Sequence, residues 1–152
     1  MKVKLVIFDF NRTLLNHDTQ RENVGATELL KEIKENKIDI CIVSRKEAGN
    51  IDREKLLYQQ DYIRYVNKIY FTKGNISKKS NYKKAMQSME CLPSETLVVG
   101  DYLMKDIKPA IELGCITVWF KKGKFASETP AITGIYPTDT VEELIDLLKL
   151  IK

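Results

Sequence analysis

At 152 residues with 43% hydrophobic side chains, the chain has room for one domain with a buried core and too little for several. A formal charge of +4, a pI near 8.8 and 30% charged residues give no indication of a nucleic-acid partner, because the lysines at Lys78-Lys79, Lys83-Lys84 and Lys121-Lys122 read as scattered, solvated surface. No apolar run nears the ~20 residues of a membrane span, and a lone His17 excludes a multi-histidine zinc site. In chain order, Val3 to Phe8 reads as a buried strand, and Leu29, Leu30 and Ile33 mark the apolar stripe of a helix preceded by Gly25. Ile38 to Val43 is a second strand. Leu56, Leu57, Ile63 and Val66 punctuate a polar, helical stretch, and Lys68 to Phe71 is a short third strand. Tyr82, Ala85, Met86 and Met89 recur at helical spacing, which makes those methionines core. Thr96 to Val99 is a fourth strand. Met104 to Leu113 is a helix stopped by Gly114, and Cys115 to Phe120 is a fifth strand. Val141, Leu144, Ile145, Leu148 and Ile151 predict a final amphipathic helix.

Strands that alternate with helices, and that are themselves nearly unbroken apolar runs, predict an α/β protein. Its expected form is a doubly wound, mostly parallel five-stranded sheet with helices on both faces, a single domain over residues 1–152. Cys41, Cys91 and Cys115 are odd in number and lack a C-x-x-C spacing. They read as free thiols in a reducing, cytoplasmic setting, consistent with an N-terminus that has no secretory signal pattern.

In such sheets ligands bind at the carboxyl ends of the strands, so the polar residues there are where chemistry is sought. The first strand ends at Asp9-Phe10-Asn11-Arg12-Thr13, the second at Ser44, and the fourth at Gly100-Asp101 with Asp106 a helical turn beyond; Lys78 and Lys79 open the helix before the fourth strand. If these strands are neighbours, carboxylates, a hydroxyl and an ammonium converge on one spot. Close carboxylates repel unless a cation lies between them, and hard oxygen ligands suit Mg²⁺. A carboxylate beside Mg²⁺ with a lysine is the equipment of phosphoryl transfer to Asp.

These residues resemble the motifs of the haloacid dehalogenase superfamily. Asp9-Phe10-Asn11-Arg12-Thr13-Leu14 is similar to the first motif, D-x-D-x-[TV]-L; Ser44 to the second; a lysine of Lys78-Lys79 to the third; and Gly100-Asp101 with Asp106 to the fourth, G-D-x-x-x-x-D. The resemblance implies a Rossmann-like core and a Mg²⁺-dependent phosphatase-type hydrolase working through an aspartyl-phosphate on Asp9. Implied catalytic residues are Asp9, Asn11, Ser44 and Lys78. Asp9, Asn11 (through its backbone carbonyl) and Asp101 would ligate the metal, and Thr13 and Asp106 would support from behind. Phe10 and Asn11 amides, Ser44, Arg45, Lys78 and Lys79 would hold phosphate, with Lys78 preferred to Lys79 as the contact. Arg12 and Arg45 flank the site as possible substrate clamps, Trp119 reads as core, and the basic loop Lys121 to Phe125 faces the same side.

The departure is Asn11, where the family's phosphatases carry an acid–base Asp. An amide cannot exchange a proton near neutral pH, so hydrolysis should be slow. Three readings stay open: an Asp-to-Asn change introduced to trap a phosphoryl complex, a natural weak phosphatase, or a regulatory phosphate-binding module without turnover. A receiver-type signalling domain fits poorly, because the third strand ends in Phe71-Thr72-Lys73 without an Asp. The segments 13–25 and 44–78 are too short for a cap domain, so a minimal or absent cap is expected. An open site of that kind admits a phosphorylated substrate of unspecified class, including a large one; no membrane partner is expected and oligomeric state is left open.

Overall fold

The computed structural model describes residues 2–48 and 51–151. Strand β1 (Leu5–Phe8) leads into a two-residue-per-arm hairpin, β2 (Leu15–Asn16) and β3 (Arg21–Glu22), and then helix α1 (Ala26–Glu35). Strand β4 (Asp39–Arg45) is followed by a second small hairpin, β5 (Glu47–Ala48) and β6 (Ile51–Asp52), helix α2 (Arg53–Tyr58), a 3₁₀ turn at Asp61–Tyr65 and strand β7 (Lys68–Thr72). Helix α3 (Lys79–Ser88) and a 3₁₀ turn at Pro93–Glu95 precede β8 (Thr96–Gly100). A π-helical turn (Leu103–Ile107), α4 (Lys108–Glu112), β9 (Ile116–Phe120), α5 (Pro130–Thr133), β10 (Asp139–Val141), a 3₁₀ turn at Leu144–Leu147 and α6 (Leu148–Ile151) complete the chain.

The main sheet is parallel throughout and has six strands in the order β10-β9-β8-β1-β4-β7, one more than the five expected. The extra strand is β10, taken from the segment predicted as the start of the last helix. Thr140 and Val141 within it are β-branched, as is Thr138 just before it, a composition suited to a pleated edge. Reciprocal bonds of 3.0 Å between the Thr117 and Thr138 amides and hydroxyls lead it onto β9. What remains of that helix is a 3₁₀ turn and one α turn, with Leu144, Leu147 and Leu148 buried. The helix expected over Met104 to Leu113 is also split, into the π turn and α4. Pro109 at its second segment lacks the amide that a continuous ladder requires.

Strand pleating sorts side chains between two layers. Val6, Phe8, Ile40, Ile42, Leu97 and Val99 meet Leu29, Leu30 and Ile33 of α1 and Leu144 and Leu147 on one face. Leu5, Ile7, Cys41, Val43 and Val98 meet Tyr82, Ala85 and Met86 of α3 and Ala110 of α4 on the other. The strands β1, β8 and β9 are thus covered on both sides, which is why they read as unbroken apolar runs. Cys41 and Cys115 are buried free thiols and Cys91 is half-buried. Among the described residues no helix is long and apolar enough to cross a membrane.

Chain order reverses between β1 and β8: β4 and β7 extend the sheet one way from β1, and β8, β9 and β10 the other. Register pairs Phe8 with Val99 and with Ile42, and the Asp9 amide donates to the Val99 carbonyl at 3.0 Å. Asp9, Gly100-Asp101 and Ser44 therefore emerge side by side at this switch point.

Candidate active site

Past Asp9 the chain turns at once. The amides of Thr13, Leu14 and Leu15 all donate to the Phe10 carbonyl, and Arg12 takes a left-handed φ of 66° that a non-glycine residue adopts only when its surroundings hold it. This loop returns Thr13 under Asp9. The Thr13 hydroxyl lies 3.4 Å from Asp9 Oδ2 and 3.3 Å from Asp101 Oδ1, so its one proton bridges two carboxylates from neighbouring strands. Phe10 itself is buried in the core.

Lys78 closes the cluster from the third side. It is 2% exposed, and its ammonium donates to Asp9 Oδ1 at 2.8 Å and Asp106 Oδ1 at 2.6 Å. Burial alone would lower the Lys78 pKa, but Asp106 and Asp9 together outweigh it and hold the side chain charged. Tyr82, four residues along α3, donates its phenol to the Asp106 carbonyl at 2.9 Å and so ties the lysine's helix to the π turn that carries Asp106. Lys79 is not brought to the cluster: it is half-exposed and faces Glu112 Oε2 at 3.9 Å.

Both oxygens of Asp106 are engaged, Oδ1 by Lys78 and Oδ2 by the Tyr102 amide at 3.1 Å. Asp101 differs: its Oδ2 is buried without any partner. The Asp101 carbonyl accepts from Trp119 Nε1 at 2.9 Å, so Trp119 is core with a polar handle on the site. Burial first, then Asp9 and Asp106, push the Asp101 carboxyl up to about 9, and burial and Asp9 push Asp106 up to about 6. One carboxylate oxygen each from Asp9, Asp101 and Asp106 lies within 4.8 Å of the others. An orphaned buried oxygen in an all-oxygen donor set fits a hard divalent cation such as Mg²⁺. Gly100 is required by the same packing, because a Cβ there would overlap the Asp106 Cβ and stand 2.6 Å from its Oδ2.

Ser44 is buried at the end of β4, its hydroxyl donating to the Arg45 carbonyl at 3.3 Å. Arg45 lines the cleft and donates through Nη1 to the Gly74 carbonyl. The cleft over the acids measures about 330 Å³. Asn11, Arg12, Lys124 and Phe125 also line it, with Phe125 stacked on Tyr102 at 3.8 Å between ring centroids.

Several lining residues carried no signal in the sequence. His17, on the first hairpin, places Nδ1 3.2 Å from Asn11 Oδ1; burial and then Arg12 lower its pKa, which keeps the ring neutral at pH 7. Arg53 arrives at the start of α2 behind the second hairpin, and Lys105 and Tyr102 come from the residues around the π turn. His17 and Arg53 belong to no motif, and Tyr102 and Lys105 fill variable positions of the fourth, where the pattern specifies no residue type.

Comparison with known proteins bears on the family and the fold. A stretch of 71 residues, 47% of the chain, is 39% identical to the glyceraldehyde 3-phosphate phosphatase of Methanocaldococcus jannaschii, of which it covers 31%; a Pyrococcus furiosus protein of the same name is 38% identical over equal length and covered to 29%. The matched stretch is thus less than a third of those relatives. Among solved structures, a predicted phosphoglycolate phosphatase of Haemophilus somnus 129PT superposes with a TM-score of 0.81 at 15% identity, covering 100% of this chain and 99% of that one. YfnB of Bacillus subtilis, solved bound to magnesium, gives 0.80 at 14% identity with full coverage of both. At these identities the two structures speak for the fold. Residues 8–120 match the family model of haloacid dehalogenase-like hydrolases, from the end of β1 to the end of β9, and the chain belongs to that family.

Proposed function

We propose that the protein hydrolyses a phosphomonoester through an aspartyl-phosphate on Asp9, slowly because position 11 is Asn. The observation that carries this is the pairing of Asp9, gripped by Lys78 at 2.8 Å, with an adjacent Asp101 whose Oδ2 is buried and unpartnered. Asp9, Asp101 and the Asn11 carbonyl would hold Mg²⁺, which when bound screens the carboxylates and polarises a phosphoryl oxygen. Lys78, Ser44 and the amides after Asp9 steady the remaining phosphoryl oxygens, and Asp106 keeps Lys78 aimed. An Asp9 oxygen attacks phosphorus as the ester P–O bond breaks. The leaving alkoxide takes its proton from water, since the Asn11 amide has none to give. Water then attacks the phosphorus of the aspartyl-phosphate, releasing inorganic phosphate and restoring Asp9.

The short segments 13–25 and 44–78 support reading the substrate as entering without passing an inserted cap domain. A small sugar phosphate, the class named for the M. jannaschii relative, suits the volume of the cleft. Turnover of an aryl phosphate with Mg²⁺ should vanish in Asp9→Asn. It should rise about 10²–10⁴-fold in Asn11→Asp, the usual contribution of a placed acid–base group. No gain in Asn11→Asp counts against the role given to position 11. Asn11 also favours a second reading, a phosphate-binding module without turnover. Mg²⁺-dependent binding of beryllofluoride together with inertness toward every phosphomonoester would select it.

A further inference from the structure

The cleft carries more positive charge than one phosphoryl group uses. Lys78 is already taken up by Asp9 and Asp106, yet Arg12, Arg45, Arg53, Lys105 and Lys124 also line the space. Among the described residues no carboxylate forms an ion pair with any of the three arginines.

Arg53 is the informative member. The second hairpin and an N-cap, in which Asp52 Oδ1 accepts the Lys55 amide at 3.0 Å, set the start of α2 beside the cleft. Arg53 Nη1 donates to the Arg45 carbonyl at 3.3 Å, which fixes the half-buried guanidinium rather than leaving it in solvent. Arg45 is fixed in turn by its bond to the Gly74 carbonyl, and its Nη2 is buried with no acceptor. Arg12 is held from the opposite side by the left-handed turn after Asp9. Burial works against the Arg53 charge and lowers its pKa; Asp9 and Asp101 across the cleft favour the charge, while Arg12 and Arg45 oppose it through like-charge repulsion. Three guanidinium groups lining one cleft without a direct carboxylate partner, one with a buried donor unused, form a preorganised oxyanion receptor.

We propose that Arg53, with Arg12 and Arg45, forms a second oxyanion subsite, so that the preferred substrate is a phosphomonoester bearing a second phosphate. This rests on the phosphatase reading of the same cleft. The reacting phosphate sits against Asp9 and Lys78, and the second is received by Arg12, Arg45 and Arg53 in the lining of the same cleft. Planar guanidinium forks match phosphate oxygens in pairs, which fixes substrate orientation as well as affinity.

Ethanediol, butanediol and hexanediol mono- and bisphosphates, compared by Mg²⁺-dependent turnover and by calorimetric binding, measure the subsite and its distance from Asp9. At one of these lengths the bisphosphate should exceed its monophosphate by about ten- to hundredfold in kcat/KM, the worth of a charge-assisted bidentate contact. Arg53→Ala should reduce that ratio to about threefold or less, losing far more on the bisphosphate than on the monophosphate. Arg12→Ala should narrow the ratio in the same direction. Equal use of mono- and bisphosphates at every length overturns the subsite and leaves the phosphatase reading standing. If nothing is turned over, the binding ratio decides: a bisphosphate preference that Arg53→Ala removes keeps the subsite and sinks the phosphatase, and its absence sinks the subsite as well.

Discussion

Replacing Lys78 by methionine keeps roughly the volume of a side chain that is 2% exposed and removes the one ammonium that touches Asp9 and Asp106. Three carboxyl groups are then left buried together with no cation among them. Breaking a buried ion pair from one side costs about 3–5 kcal/mol. At about 2–4 °C per kcal/mol for a domain of this size, melting should fall by about 6–20 °C at neutral pH in chelator. The deficit has a pH signature. Asp106 and Asp101 sit at about 6 and about 9 in the folded protein, above their ordinary range, so the folded state holds protons that the unfolded chain releases. Stability tied to them is therefore full in acid and is lost as pH rises through those values. Without Lys78 both carboxyls rise further, which enlarges the alkaline penalty and leaves the acid end little changed. Circular-dichroism melts from about pH 5 to about pH 9 should show the gap between variant and parent widening toward alkali. Adding Asp106→Leu should recover much of it, because emptying both sides of a buried pair is close to neutral. Equal melting at pH 8, or a gap that grows in acid, would refute the reasoning.

Gly100→Ala should destabilise by about 1–3 kcal/mol through overpacking against Asp106, and should depress turnover further by swinging that carboxylate off Lys78; a melt and a kcat measurement report the two effects separately. Mg²⁺ should raise the melting temperature more at pH 8 than at pH 5 and release protons on binding, because the Asp101 carboxyl at about 9 must ionise to serve as a ligand; calorimetry in buffers of different ionisation enthalpy counts them. Trp119→Phe should retain the ring packing but strand the Asp101 carbonyl, lowering stability by about 1–3 kcal/mol and weakening Mg²⁺ affinity measured by titration.

The sheet was legible because parallel strands covered on both faces leave continuous apolar runs, and β1, β4, β7, β8 and β9 all do so. Asp9 and Asp101 were legible because strand ends at a switch point gather whatever polar residues terminate those runs, and Lys78 and Asp106 because they stand at motif spacing from them. Lys78 and Lys79 could be separated only weakly by spacing; burial and two carboxylate partners distinguish them in space. The two hairpins are too short for any period to register, with two residues in each arm. Arg53 and His17 were hidden with them, since a loop residue's reach into a cleft is a property of the turn and not of its neighbours in sequence. β10 was misread because Val141 fits an i, i+3, i+4 stripe with Leu144 and Ile145 as well as it fits an edge strand.

Because Asp9 and Asp101 leave adjacent, hydrogen-bonded strands, their separation is inherited from the sheet itself, whose strands run about 4.7–4.9 Å apart. The backbone acts as a ruler that no surface mutation can stretch. The segment at 15–22, by contrast, touches the cleft only through His17. Longer turns grafted there would change which molecules gain admission while the acid pair kept its spacing, so selectivity and chemistry can be redesigned separately in this scaffold.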